Sequence, residues 1–204
     1  MIEAKNISVV FDKKVVFQDL NMTFEDDKIY GILGKSGCGK STLLRCLAGL
    51  LIPTGGAVYF NDTKITGPTR NIFMMHQSYS NFPWLTCFEN VMLPFQVNKT
   101  PIDDKVTGAA ETILQTVGLA EYHDKFPNEL SGGMKQRLAL ARTLVNVPAV
   151  ILMDEPLSAL DDATRHSMQD LIVTEAKKHK STVIMVTHSP EEAQRMCDHI
   201  ITMG

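Results

Sequence analysis

Long apolar runs are missing from this 204-residue chain. The strongest, from Ala149 to Met153, stops at Asp154, far short of the roughly 20 residues that a membrane-spanning helix needs. The opening residues, Met1-Ile2-Glu3-Ala4-Lys5-Asn6, lack the basic and apolar regions of a signal peptide. If a membrane is involved, another chain must cross it. Cysteine is scarce. Cys38, Cys46, Cys87 and Cys197 form no CxxC pair and no metal-ligand spacing, which fits reduced thiols in a cytosolic protein. Positive charge is not in excess, and a net charge of −3 argues against a broad electrostatic grip on nucleic acid. Aromatics are few, and there are no internal repeats, low-complexity segments or long linkers. What remains is an ordinary globular composition, long enough for one domain with a real core.

The chain alternates strand and helix patterns. Residues 2–11 and 15–24 read as two strands of a hairpin, and 29–33 as a short buried strand feeding a glycine-rich loop. A helical pattern follows over 40–51, stopped by Pro53 and the Gly55-Gly56 turn. Residues 58–60 and 72–75 are further strands. From 78 to about 145 the pattern turns helical, notably over 103–117 and 132–145, with no good strand. The strand–helix alternation then resumes: 149–153, a helix over 162–179, a strand at 182–186, a short helix from Pro190, and a last strand near 199–203. Asp161 and Asp162 open the long helix and Lys177, Lys178 and Lys180 close it, matching its macrodipole. The expected architecture is α/β with a mainly parallel sheet covered on both faces. Its core spans 1–77 and 146–204 with N-terminal antiparallel strands, and 78–145 form a helical insertion.

Four stretches carry chemistry. Gly34-Lys35-Ser36-Gly37-Cys38-Gly39-Lys40-Ser41 matches G-x-x-x-x-G-K-S/T between a buried strand and a helix, the context that makes this pattern a phosphate cradle. The glycines let consecutive N–H groups curl around an anion. Lys40 reaches the β- and γ-phosphates, the Ser41 hydroxyl can bind Mg²⁺, and Thr42 belongs to the same cofactor-binding set. Cys38, in an electropositive loop at a helix start, is expected to carry a reactive thiol shielded by nucleotide. Next, the apolar run at 150–153 ends in Asp154 and Glu155, where α/β sheets bind ligands. Successive strand residues point opposite ways, so Asp154 suits Mg²⁺, directly or through water, and Glu155 suits polarising an attacking water. Gln77 and His188 each fall just past a core strand. Gln77 fits binding Mg²⁺ or orienting water, and His188, held before the Ser189-Pro190-Glu191-Glu192 capping box, fits donating to a γ-phosphate. His76 reads as structural. Lastly, Leu130-Ser131-Gly132-Gly133-Met134-Lys135-Gln136-Arg137 describes a second exposed, anion-seeking helix start. One nucleotide needs one cradle, so a second phosphate-seeking end points to two surfaces closing on one nucleotide.

Together these stretches resemble the ATP-binding-cassette (ABC) ATPases, in order and spacing, over almost the whole chain: the phosphate loop, the glutamine loop from Gln77, the signature Leu130 to Met134, the acidic strand, the Ser158-Ala159-Leu160-Asp161 loop and the switch histidine His188. The resemblance implies a P-loop NTPase fold, ATP and Mg²⁺ as cofactors, and two cassettes meeting head to tail. ATP on one phosphate loop would be closed over by Ser131, Gly132 and Gly133 of the other, with Asp161 communicating across the interface. Glu155, His188 and Gln77 would be the catalytic set, and Ser41, Gln77 and Asp154 the metal ligands. Phe11 stands where the family stacks adenine on an aromatic, more often tyrosine; a hairpin core residue is its other reading. Implied partners are a second cassette, integral-membrane permease subunits and an extracytoplasmic solute-binding protein, with no nucleic acid. The implied location is the cytoplasmic face of the cell membrane.

A finer likeness lies in Asn81-Phe82-Pro83-Trp84-Leu85-Thr86, similar to a stretch of importer ATPases in the nitrate, sulfonate and taurine group. Trp84 fits either that partner-facing role or a core anchor of the helical insertion. The chain runs only sixteen residues past His188, fewer than is usual in the family, as expected of a minimal or truncated cassette without a C-terminal regulatory domain. Rivals fare worse. A GTPase needs Asn-Lys-x-Asp, and Asn98-Lys99-Thr100-Pro101 fails at its last position. A small-molecule kinase has no need of the signature. ABC proteins acting on ribosomes or DNA usually carry paired cassettes or a coiled-coil insertion, and neither is here.

Overall fold

The computed structural model describes residues 1–12, 14–76 and 81–204. It holds two sheets. In the first, β1 (Ile2–Phe11) pairs antiparallel with β2 (Lys14–Phe24) on one side and β4 (Gly55–Phe60) on the other, and β5 (Thr63–Lys64) extends the edge. In the second, β3 (Ile29–Gly34), β6 (Ile72–Met75), β7 (Val150–Asp154), β8 (Thr182–Val186) and β9 (His199–Met203) run parallel in the order β6-β7-β8-β3-β9.

Every residue of β7 and β8 is buried, as expected of parallel strands covered on both faces. The period of two sorts their side chains. Val150, Leu152, Ile184 and Val186 join one core with α1 (Lys40–Leu47) and the antiparallel sheet. Ile151, Met153, Val183 and Met185 join another, filled by α2 (Cys87–Val97), α3 (Asp104–Thr116), α4 (Gly132–Leu144) and α5 (Asp162–His179). Leu43, Leu44 and Leu47 are fully buried. At about 2 kcal/mol apiece they seat α1 firmly, and with it the loop that leads into it. The short α6 (Pro190–Met196) presses on β3 at Gly31, where a Cβ would lie 2.8 Å from Cys197 Sγ.

The end of the first helix and the cap of the last need correction, and one helix of the helical stretch carries no periodic signal. The first helix ends at Leu47 rather than 51, because Gly49 turns left-handed at φ +70° and Leu50 N–H returns to Arg45 O at 2.9 Å. Helix α2 escapes a periodicity reading because it buries residues nearly all round and carries Pro94. Its real signal is the Thr86/Glu89 capping box, with Glu89 N–H on Thr86 Oγ1 at 3.2 Å and Thr86 N–H on Glu89 Oε2 at 2.8 Å. At α6 the box is half made: Ser189 Oγ accepts from Glu192 N–H at 3.1 Å, but the Glu192 carboxylate takes the Thr187 hydroxyl instead.

Candidate functional site

The loop between β3 and α1 opens on a cleft of about 840 Å³. Its glycines are needed for different reasons. A Cβ at Gly34 would lie 2.0 Å from Met203 O and push β9 off β3. Gly39, at φ +99°, would put a Cβ 2.7 Å from Val16 Cγ1. Gly37 has open space around it but sits at φ +81°, so it needs the conformation only.

The start of α1 is chemically unlike the other helix starts. Thr86, Asp103, Ser131, Asp161 and Ser189 each cap their helix with a side-chain oxygen. Gly39 offers none, so among the described α-helices only α1 leaves its first N–H groups without a side-chain partner. Those donors, with the positive end of the helix dipole, face a cleft lined by Ser36, Gly37, Gly39, Lys40, Ser41 and Thr42. Lys40 is 6% exposed, and its ammonium donates to the Gly34 and Lys35 carbonyls, both at 2.8 Å. Gly34, Lys35 and Cys38 are not on the cleft wall. The Cys38 thiol donates to Met203 O at 3.3 Å, on the β9 side of the loop rather than on the cleft wall.

Across the cleft stand Glu155 and His188, with Glu155 Oε1 and His188 Nε2 in direct contact. Glu155 follows the last residue of β7 at φ +50°, a left-handed conformation that is uncommon for a side-chain-bearing residue and concentrates at functional positions. Its N–H still bonds Val186 O at 3.0 Å. The strand alternation therefore stops at Asp154, and the turn, not the pleat, aims Glu155 into the cleft. Asp154 is 6% exposed and falls, by the same alternation, on the α1 side of the sheet. Among the described residues no hydrogen-bond donor meets its carboxylate. A buried carboxylate on the α1 side of the sheet and a hydroxyl at the start of α1 are hard oxygen donors of the kind that fit a divalent cation. Its neighbour His76 is half-buried, and desolvation, then Arg45, hold its imidazole below the usual range.

Phe11, 48% exposed, lines the cleft with Val15 and Val16. It is not a hairpin core residue, which removes that reading. Trp84, 69% exposed and edge-on to Phe82 at 5.5 Å, is not a core anchor either. Ser131, Gly132, Gly133 and Asp161 do not line the cleft. Ser131 Oγ caps α4 through Met134 N–H at 3.3 Å, and Asp161 caps α5 through Thr164 N–H at 3.0 Å, a bond that holds its carboxyl below the ordinary range. Gln77 lies outside the described residues. Lys14 also lines the cleft, and Gln136 is buried in α4; no local sequence pattern marks either for a role. Gln136 was visible only as part of the motif.

No helix of the described residues is long and apolar enough to cross a membrane. Residues 17–158 match the ABC transporter family. The taurine import ATP-binding protein TauB of Roseobacter denitrificans is 42% identical over 95% of this chain and 72% of that protein. The spermidine/putrescine import ATP-binding protein PotA of Fusobacterium nucleatum is 39% identical over 99% of this chain and 56% of that protein. Among solved structures, the dimeric post-hydrolysis state of the ATP-binding cassette MJ0796 bound to ADP and Pi superposes with a TM-score of 0.92, at 30% identity, over 100% of this chain and 94% of that one. With the phosphate loop, its uncapped helix and the Glu155–His188 pair around one cleft, the chain belongs to the ABC transporter family, as an ATP-binding cassette and an ATPase.

Proposed function

We propose that this cassette powers solute import through a separate membrane permease, hydrolysing Mg-ATP at the interface of a head-to-tail dimer. The observation that carries the site is the uncapped start of α1 facing Glu155 and His188 across one cleft. Phe11 takes the adenine face, and the α1 N–H groups with Lys40 take the phosphates. Lys40 trades two loop carbonyls for phosphate oxygens, so its charge is already in place. Ser41, Asp154 and Gln77 would hold Mg²⁺, which when bound neutralises phosphate charge; Gln77 also serves to orient water. Glu155 takes the proton of the attacking water as the bridging bond to the γ-phosphorus breaks. His188 exchanges its bond to Glu155 for the γ-phosphate, freeing the carboxylate for that task.

The other half of the site comes from a second copy. Ser131, Gly132, Gly133 and Asp161 cap or open helices away from the chain's own cleft, and a solved relative is dimeric. In this reading 78–145 act as an arm that carries the signature, set on a core of 1–77 and 146–204. Relatives named for taurine and for spermidine/putrescine import support the importer assignment. Exposed Trp84 offers an apolar contact to a permease at the cytoplasmic face of the membrane, and a solute-binding protein completes such a system.

Glu155→Gln tests the assignment. The variant should bind ATP as the wild type does, lose at least about 100-fold in turnover, and accumulate as an ATP-bound dimer on size exclusion. Near-normal hydrolysis would remove Glu155 from its role. Co-purification with integral-membrane subunits tests the importer half; a chain that never associates with them speaks against it.

A further inference from the structure

We infer that Gln136 is a positioning residue that ties the signature end of α4 to the loop carrying Glu155, so that each subunit moves the two as one piece. The inference rests on the dimeric reading above. Gln136 lies five residues beyond Ser131, about 7.5 Å along α4. It is 1% exposed and makes two bonds to one loop. Its Oε1 accepts from Ala159 N–H at 3.0 Å, and its Nε2 donates to Glu155 O at 3.4 Å. Gln136 thus joins the backbone of the catalytic carboxylate to the start of the Ala159-Leu160-Asp161 run.

The rest of that loop is fixed as well. Ser158 Oγ donates to the same Glu155 carbonyl at 3.2 Å. Arg165, from the first turns of α5, donates to the carbonyls of Leu157 and Leu160 and pairs with Asp162. The first turn of α4 also rests on the loop: a Cβ on Gly133 would lie 3.3 Å from Leu160 Cδ2 and 3.5 Å from Ala159 O. A segment stiffened by its own bond and by α5, and joined to α4 at Glu155 and Ala159, has little freedom to move independently of α4. Glu155 is itself held at φ +50°, where a small change in its backbone swings the carboxylate.

The consequence is functional. In the dimer, Ser131 of one subunit meets the partner's nucleotide, while Glu155 of that subunit serves its own. Gln136 lies between them. Closure on the partner's ATP therefore sets the position of this subunit's own catalytic carboxylate, and the loop in turn holds this subunit's signature against the partner's ATP, so one subunit's state is read at both sites. A purely structural Gln136, present only to satisfy two buried backbone groups, would affect stability and nothing else.

The experiment uses the full chain with Gln136→Met, which keeps the shape and removes both bonds, and Gln136→Glu, which keeps the acceptor and loses the donor. Fluorescent-nucleotide affinity of the isolated subunit should stay within about twofold of wild type. The kcat should fall at least tenfold in both variants, with KM changed little, the split of an interaction realised only in the closed state. Wild-type and Gln136→Met subunits are then mixed at constant total concentration. If each subunit sets both sites, activity falls as the square of the wild-type fraction. A linear fall, or variants with normal kcat and only a lower melting temperature, overturns the inference. A wild-type chain that forms no ATP-dependent dimer would instead remove the dimeric reading, and this inference with it.

Discussion

Replacing Lys40 by alanine should have two separable effects whose sizes follow from its surroundings. The ammonium is buried and donates to the carbonyls of Gly34 and Lys35 at 2.8 Å each. Charge-assisted hydrogen bonds contribute about 1.5–3 kcal/mol each when their partners stay dry. Here Lys35 is exposed and Gly34 only half-buried, so water replaces much of the loss. A net cost of about 1–2 kcal/mol for the pair remains, which for a chain of this size lowers Tm by about 2–8 °C. The second effect is on the nucleotide. At an ATP concentration of 100 times Kd, the wild type gains about 2.7 kcal/mol, or about 5–11 °C. Loss of the ammonium should weaken ATP binding about 100-fold, leaving about 0.4 kcal/mol of that gain. Thermal unfolding with and without ATP measures both. An alanine variant whose ATP-induced shift equals that of the wild type would refute the cradle assignment, whatever happened to its apo stability.

Other expectations follow from the same geometry. Ser131→Arg should leave ATP affinity of the isolated subunit unchanged and abolish ATP-dependent dimerisation and turnover; normal hydrolysis by this variant would overturn the two-subunit site. Phe11→Ala should lose about 1–3 kcal/mol of stacking, 5- to 150-fold in ATP affinity, while Phe11→Tyr stays near wild type by fluorescent-nucleotide titration. Equal affinities for the alanine and tyrosine variants would place the adenine elsewhere. Burial pushes the thiols of Cys46 and Cys87 up to about 11 and that of Cys197 to about 12. Alkylation at pH 8 should therefore modify Cys38 first, with the other three reacting only on unfolding, as read by mass spectrometry. Gly34→Ala should destabilise the fold by splitting β3 from β9; an unchanged melting temperature would contradict the close approach of Met203 O.

Much of the candidate site is legible in the chain because its chemistry is local. An anion-binding loop needs glycines and a helix start within a few residues, and a capping serine needs its N–H groups three residues on. Such constraints act at short range, so Gly34 to Ser41, Ser131 to Gly133 and the strand ending in Asp154, with Glu155 next, are readable without a structure. The alternation of β7 and β8 between two cores is equally local. Reading is less secure where one element meets another. Helix α2 was hidden because burial on all sides erases the periodicity that marks a helix.

The sequence by itself determined which residues can hold a phosphate, polarise water and cap a helix, because those abilities belong to the residue and its near neighbours. Only the tertiary structure decided where they face. It turned Phe11 into the cleft and Trp84 outward, aimed Cys38 at Met203, and used a left-handed Glu155 to break the strand alternation. It also set Gln136 against a loop about twenty residues further on, a contact made by packing between elements that no local pattern records. Direction is decided by what lies across the core, and that is fixed only when distant parts of the chain have met.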